Sequence, residues 1–236
     1  MKIENVDVYN IENAIRGLRH PMESYAKSDT QWYDDTATNE YLCGYSFIEY
    51  DHDNLRFLGI GPNDLDLAQR MIKAGEPNDK YLRQIFVSMD ITAPLYWWKE
   101  MDTYKVGTTA NSTSTMHKLA TTPITLDCFE TDDYDKEWLN STGIEAACDT
   151  WINDNIIYFL EELRQKYLET KDMRYWKELI RWLPESWLQT RTWTANYAVL
   201  RHIIHWRKDH KLSEWRAFVE HLHVLPYANQ LLFFEN

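Results

Sequence analysis

Between Met101 and Lys118 the chain reads MDTYKVGTTANSTSTMHK, with seven Ser or Thr residues, one Asn and one Gly. It follows directly on the apolar, aromatic run ITAPLYWWKEM. A stretch this polar cannot be a buried core element, and a free linker would not follow such a run. The fold must therefore keep it at a surface with aromatic residues behind it. Two readings fit. Ser and Thr favour turns with no ligand involved. A hydroxyl-rich loop on a firm backing also supplies the donors and acceptors that a polar ligand needs.

Bulk properties narrow the classes. The 236 residues suit a single domain over 1–236, with a mixed α/β part at 1–122 and a helical part at 143–225. Eleven Trp and fifteen Tyr suit flat-ring pockets and interfaces as well as cores. No apolar run reaches membrane-spanning length, and MKIENVDVYN lacks a signal peptide's apolar centre. Cys43, Cys128 and Cys148 are scattered and odd in number, so neither a disulfide framework nor a zinc site is expected, and a cytoplasmic location fits. The net charge of −12 is uneven: residues 1–170 hold 15 Lys/Arg against 30 Asp/Glu, whereas 171–216 hold 10 against 5. That balance speaks against nucleic acid and allows a small anion such as a nucleotide phosphate. A basic helix face solvated by water, or paired with an acidic neighbouring subunit, explains the same charges.

Read in order, Lys2–Asn10 is an edge strand and Ile11–Leu18 a helix ended near Gly17 and Pro21. Arg16, Arg19 and His20 cluster there, either for a ligand phosphate or in surface ion pairs. Thr30–Tyr41 reads as loop and Leu42–Glu49 as strand. Gly59-Ile60-Gly61 is a turn, since the third Gly of a dinucleotide fingerprint is missing. Asn63 then caps a helix with the stripe Leu65, Ala68, Met71 and Ile72, ended by Gly75. Lys80–Thr92 is a helix start running into a strand, and Ala93–Met101 a helix beginning at Pro94. Residues 123–140 form an acidic, solvated linker. Long helices are expected from Cys148 to Tyr167, over Asp172–Trp182, Thr190–Arg207 and Lys211–Leu222.

On the helix predicted over 190–207, Asn196 and Arg207 project about 20° apart, with Val199, Leu200 and Ile203 between them. An unpaired Arg on a core-facing stripe costs several kcal/mol. Either a carboxylate meets Arg207, or that helix end opens onto a polar or anionic ligand. His202 and His205 have helical spacing, but no metal-binding motif accompanies them, and no metal is expected. No activated-nucleophile motif is present either.

Together these residues resemble a family. A helix ending in Ala74-Gly75, then Ile91-Thr92-Ala93-Pro94 with its aromatic run, then a loop with Asn-x-x-Ser are followed by Leu183-Pro184, Asn196 and Arg207. The order is similar to that of flavin-dependent thymidylate synthases, over roughly residues 59–118 and 176–222. The resemblance implies an α/β (α+β) fold with a mostly antiparallel sheet, long helices and a helical C-terminal half, assembled as a homotetramer. It implies FAD and dUMP, or a related uridine nucleotide, bound at subunit interfaces. Methylenetetrahydrofolate would be the carbon donor and NADPH the reductant.

Asn111 and Ser114 match the Asn and second Ser of the family loop Arg-His-Arg-x-x-Ser-x-Asn-x-x-Ser-x-Arg, and Thr109 stands at its first Ser. By resemblance, Arg207 and Ser114 meet the reacting pyrimidine. Asn196, Asn111, Thr109 and His202 go to the flavin, and Arg181 and Lys105 join Arg207 and Ser114 on the nucleotide. Arg181 is one position displaced from its family counterpart. Tyr104-Lys105-Val106 replaces Arg-His-Arg, Met116 replaces the closing Arg, and Asp79 stands for a usual His. Each lost charge-assisted contact costs about 1.5–3 kcal/mol. Lys105, Lys118, Arg16 and Arg19 are candidate substitutes. A nucleotide-binding protein without catalysis, and a purely structural oligomer rich in Trp and Tyr, are the competing expectations.

Overall fold

The computed structural model describes residues 1–34, 50–51, 56–131 and 152–235. The strand expected at Leu42–Glu49, the end of the acidic linker and the start of the long helix at Cys148 lie outside them. The elements in chain order are β1 (Lys2–Tyr9), α1 (Ile11–Leu18), β2 (Gln31–Asp34), β3 (Tyr50–Asp51), β4 (Arg56–Gly59), α2 (Pro62–Ala74) and β5 (Phe86–Pro94). Then come α3 (Leu95–Met101), β6 (Thr109–Ser112), α4 (Thr115–Lys118), α5 (Tyr158–Thr170), α6 (Met173–Arg181), β7 (Leu188–Asn196), α7 (Tyr197–Arg207) and α8 (Ser213–His221). The fold is mixed α/β, with a four-stranded antiparallel sheet in the order β1-β5-β7-β6. A smaller sheet has the order β2-β4-β3, with Trp32 opposite Leu58.

The chain divides into two compact units, and neither is continuous in sequence. One holds Met1–Lys2, Ile91–Thr103 and Asn111–Arg191; the other holds Ile3–Asp90, Tyr104–Ala110 and Thr192–Asn236.

Strand β5 follows its period-two pattern: Val87, Met89, Ile91 and Ala93 are buried, and the residues between them are not. Strand β7 corrects the helix expected from Thr190. Its sequence LQTRTWTAN alternates β-branched Thr190, Thr192 and Thr194 with Gln189, Arg191, Trp193 and Ala195. Branching at Cβ favours the extended backbone, and the helix begins only after Asn196.

In the unit that contains α7, α1 and α7 both pack on the 3₁₀ segment Asn78–Gln84. Tyr197 donates its hydroxyl to the Pro226 carbonyl at 2.6 Å, and the Ile60 amide donates to the Tyr227 hydroxyl at 2.6 Å. The start of α2 is capped differently from the sequence expectation. The Asp29 carboxylate accepts from the Asn63 and Asp64 amides at 2.9 and 3.0 Å, so a distant carboxylate satisfies the orphan donors that Asn63 was expected to serve.

In the other unit the first part of the acidic segment is packed, not solvated. Ile124 and Phe129 are buried in a cluster with Leu119, Ile157, Leu160 and Leu179. The Ile124 amide donates to Glu161 at 3.0 Å, and Arg164 Nε donates to the same carboxylate at 2.7 Å. The hydrogen bond from Arg164 pulls the Glu161 pKa down to about 2, against the opposing effect of burial.

Candidate functional site

The site is built on α7 and the segment Tyr104–Thr108. Asn196 has extended backbone (φ −133°, ψ 167°), so it is the cap of α7 and not part of its stripe. This overturns the helical projection that set it beside Arg207. Its side-chain oxygen accepts from the Val199 amide at 3.1 Å. Gly107 lies against this end. Its φ of +76° favours glycine, and a Cβ there would stand 2.9 Å from Asn196 Nδ2 and 3.4 Å from Val199 Cγ2. At the other end of α7, the Tyr104 hydroxyl accepts from Arg207 Nε at 2.8 Å. The segment therefore touches α7 at both ends, at its cap through Gly107 and at its last turn through the Tyr104 side chain.

Arg207 is half-buried on the last turn of α7. Its guanidinium carbon lies 4.6 Å from the Trp215 ring centroid and 5.6 Å from that of Tyr104. Two aromatic faces and one hydroxyl thus fix the plane of this cation. Tyr104 also meets the His202 ring edge-on at 5.9 Å, and His202 is exposed. The arrangement can present an oriented cation beside flat apolar rings, which is the chemistry that recognises a planar, carbonyl-bearing ring.

The other predicted residues fall as follows. Thr109, with Lys105, belongs to the unit of α7, and both are exposed. Asn111, Ser114 and Arg181 belong to the other unit. The hydroxyl-rich loop is partly a strand, β6, exposed throughout. Its continuation is tied to β7: the Thr113 amide donates to the Thr190 carbonyl at 2.9 Å, and Gln189 Nε2 donates to the Thr113 carbonyl at 2.9 Å. Ser114 caps α4, its oxygen accepting from the His117 amide at 3.2 Å. Ser114 and Lys118 line a cavity of about 230 Å³ with Trp187 and Cys128. Arg181 is exposed and paired with Glu178 on its own helix.

The chain folds as the flavin-dependent thymidylate synthase ThyX does. The Helicobacter pylori enzyme complexed with FAD and dUMP matches with a TM-score of 0.61 at 17% identity, covering 99% of this chain and 98% of that one. A second structure of Helicobacter pylori thymidylate synthase X, with FAD and dUMP, gives 0.61 at 16% identity, with 98% and 97% covered. No family model and no curated relative matches the chain. At this identity the likeness shows the fold. No helix among the described residues is long and apolar enough to cross a membrane.

Sequence reasoning singled out Arg207 but missed what holds it. Tyr104 was read only as a replacement for a lost Arg, and Trp215 only as part of a helix. No local pattern marks the contact, which joins residues 103 positions apart. The cluster Arg16, Arg19 and His20 does not act as a unit. Arg19 is buried and donates from Nε to Asp64 at 2.7 Å, Arg16 donates to Asn13 at 2.7 Å, and His20 meets the Tyr25 hydroxyl at 2.8 Å.

Proposed function

We propose that this chain binds a flavin and a uridine nucleotide as a homotetramer in the cytoplasm and methylates dUMP to dTMP, with methylenetetrahydrofolate as carbon donor and NADPH as reductant. One observation carries the reading: a fold shared over nearly the full length with proteins that hold FAD and dUMP. The oriented Arg207 supports it locally.

Neutral donors near α7 fit the polar edge of a flavin ring, whose carbonyls and nitrogens need hydrogen bonds but no charge. Asn196 spends its oxygen on the cap, which leaves its Nδ2 hydrogens beside Gly107, where no side chain stands in the way. His202 and Thr109 are exposed on the same unit, and Asn111 on the other. A flavin pyrophosphate is served less well, because Lys105 is the sole basic residue of 104–110. The flavin supplies the redox chemistry when bound. Arg207 donates to a pyrimidine carbonyl and stabilises negative charge on the ring, and Ser114 orients the base. Lys105 and Arg181 meet the nucleotide phosphate.

The test is dTMP formation from dUMP with FAD, NADPH and methylenetetrahydrofolate. Arg207→Ala is expected to lower kcat/KM about 10- to 150-fold, the worth of one charge-assisted hydrogen bond. Turnover unchanged in that variant contradicts the role of Arg207, and no turnover in the parent chain contradicts the reaction.

A second reading, a nucleotide binder without catalysis, is favoured by one observation. Where basic side chains are expected, the Tyr104 hydroxyl accepts from Arg207, and Val106 is 88% exposed. Calorimetry with uridine and thymidine monophosphates separates the two: nucleotide binding without flavin uptake supports this reading, and no binding ends both.

A further inference from the structure

The residues that flank the hydroxyl-rich segment 103–112 are Asp102 and Thr113, and both are tied to strand β7. They belong, with Trp98, Gln189 and Arg191, to the unit of α5 and α6. Gln189 and Arg191 stand two apart on β7 and so share a face of the strand. The Arg191 guanidinium carbon lies 4.2 Å from the centroid of the Trp98 ring, which sets the plane of the cation. Trp98 is buried and donates from Nε1 to the Gln189 carbonyl at 2.9 Å, so this floor is itself fixed.

From that floor the guanidinium reaches two ways. Its Nη1 donates to Asp102 at 2.7 Å, where α3 ends and the segment begins. Its Nε donates to the Gln189 side-chain oxygen at 2.9 Å. An amide side chain can sit either way round, with oxygen and nitrogen exchanged. Arg191 carries donors only, so it selects the orientation that leaves Gln189 Nε2 to donate to the Thr113 carbonyl at 2.9 Å.

Gln189 is 7% exposed, and a buried amide turned the wrong way loses a hydrogen bond at each end. The Thr113 amide donates to the Thr190 carbonyl at 2.9 Å, and Ser114, the next residue, caps α4 and lines the cavity of about 230 Å³. The relay Asp102–Arg191–Gln189–Thr113 thus joins the two ends of the segment.

We infer that Arg191 is the positioning residue of this segment. It orients Gln189 and, through it, holds Thr113 and the adjoining Ser114 in place. Lysine cannot do the same, because an ammonium has no planar fork to lie on the ring and reach two oxygens at once. The ordering of the segment stands without a ligand; its use by a nucleotide rests on the function proposed above.

The test is amide hydrogen exchange on the full chain, read on peptic fragments covering 99–104 and 110–116, with melting curves alongside. Arg191→Lys keeps the charge beside Asp102 and loses the grip on Gln189. It is expected to speed exchange at Thr113 about tenfold while exchange at Thr103, and over α5 and α6, stays near parental. Asp102→Ala is expected to do the reverse, speeding Thr103 and sparing Thr113. If Arg191→Lys does not fold, Gln189→Glu replaces it: it keeps a partner for Arg191, removes the donor to Thr113 and is expected to speed Thr113 alone. Calorimetry with dUMP is the second readout, and Arg191→Lys is expected to weaken its binding about fivefold or more. No heat from dUMP in the parent chain contradicts the proposed function, and exchange alone then decides the role of Arg191. Thr113 exchange unchanged in the lysine variant, exchange raised throughout the unit, or dUMP bound by that variant as tightly as by the parent overturns the inference.

Discussion

Arg19 and Arg207 solve the same problem in two ways. Removing a guanidinium from water is costly unless something replaces the lost hydration. Arg19 is given a carboxylate, and the carboxylate is over-determined: burial alone raises the Asp64 pKa, but hydrogen bonds from Thr30, Ser28, Arg19 and the Asp29 amide outweigh it and lower it. Asp64→Asn keeps the shape and removes the charge, so it is expected to cost about 3–5 kcal/mol, the usual cost of breaking a buried pair, read by urea denaturation. Arg207 lies against two rings and a hydroxyl, which hold its orientation. His221 shows the opposite case. Its Nε2 is buried with no hydrogen-bond partner among the described residues, and burial lowers its pKa. The unfolded chain therefore binds this proton more readily than the folded one. Stability from the neutral ring is present above the unfolded value of about 6.5 and falls as the pH drops below it towards the lowered folded value. His221→Leu is expected to lose less melting temperature than the parent between about pH 7 and 5; an identical loss refutes the assignment.

At the scale of elements, α7 depends on the segment that touches both its ends. Asn196→Ala removes the cap and is expected to cost about 1 kcal/mol. Gly107→Ala places a methyl 2.9 Å from Asn196 Nδ2 at a φ of +76°, and is expected to cost more than 1 kcal/mol through strain and a displaced Tyr104. Both are read as shifts in denaturation midpoint, and a Gly107→Ala variant as stable as the parent would show that the close approach is absent. The same element shows where sequence reading stops. The bounds of α1 were legible because an apolar stripe and its stop signals agree, and β5 was legible from its alternation. The stripe Val199–Leu200–Ile203 was legible too, but extending it back through Asn196 ignored the alternating threonines of β7. The cap was the boundary. The packing of Ile124 and Phe129 beneath an acidic run was not legible, because charge patterning reports the exposed side chains and says nothing of the apolar ones between them. The use of Tyr104 by Arg207 was equally hidden, since their contact joins residues 103 positions apart.

For the whole molecule, the claim is that a scaffold known to carry FAD and dUMP in Helicobacter pylori retains a flavin site after its basic loop has become Tyr104-Lys105-Val106. A homotetramer of 28.3 kDa chains is part of that claim and is read directly by light scattering. The most direct measurement is the absorption spectrum of the purified chain after incubation with FAD and removal of the free cofactor. A flavin band retained with the protein, at one flavin per chain and diminished in Asn196→Ala, is the predicted result. A colourless protein that releases all added FAD, while remaining folded by its melting curve, contradicts it.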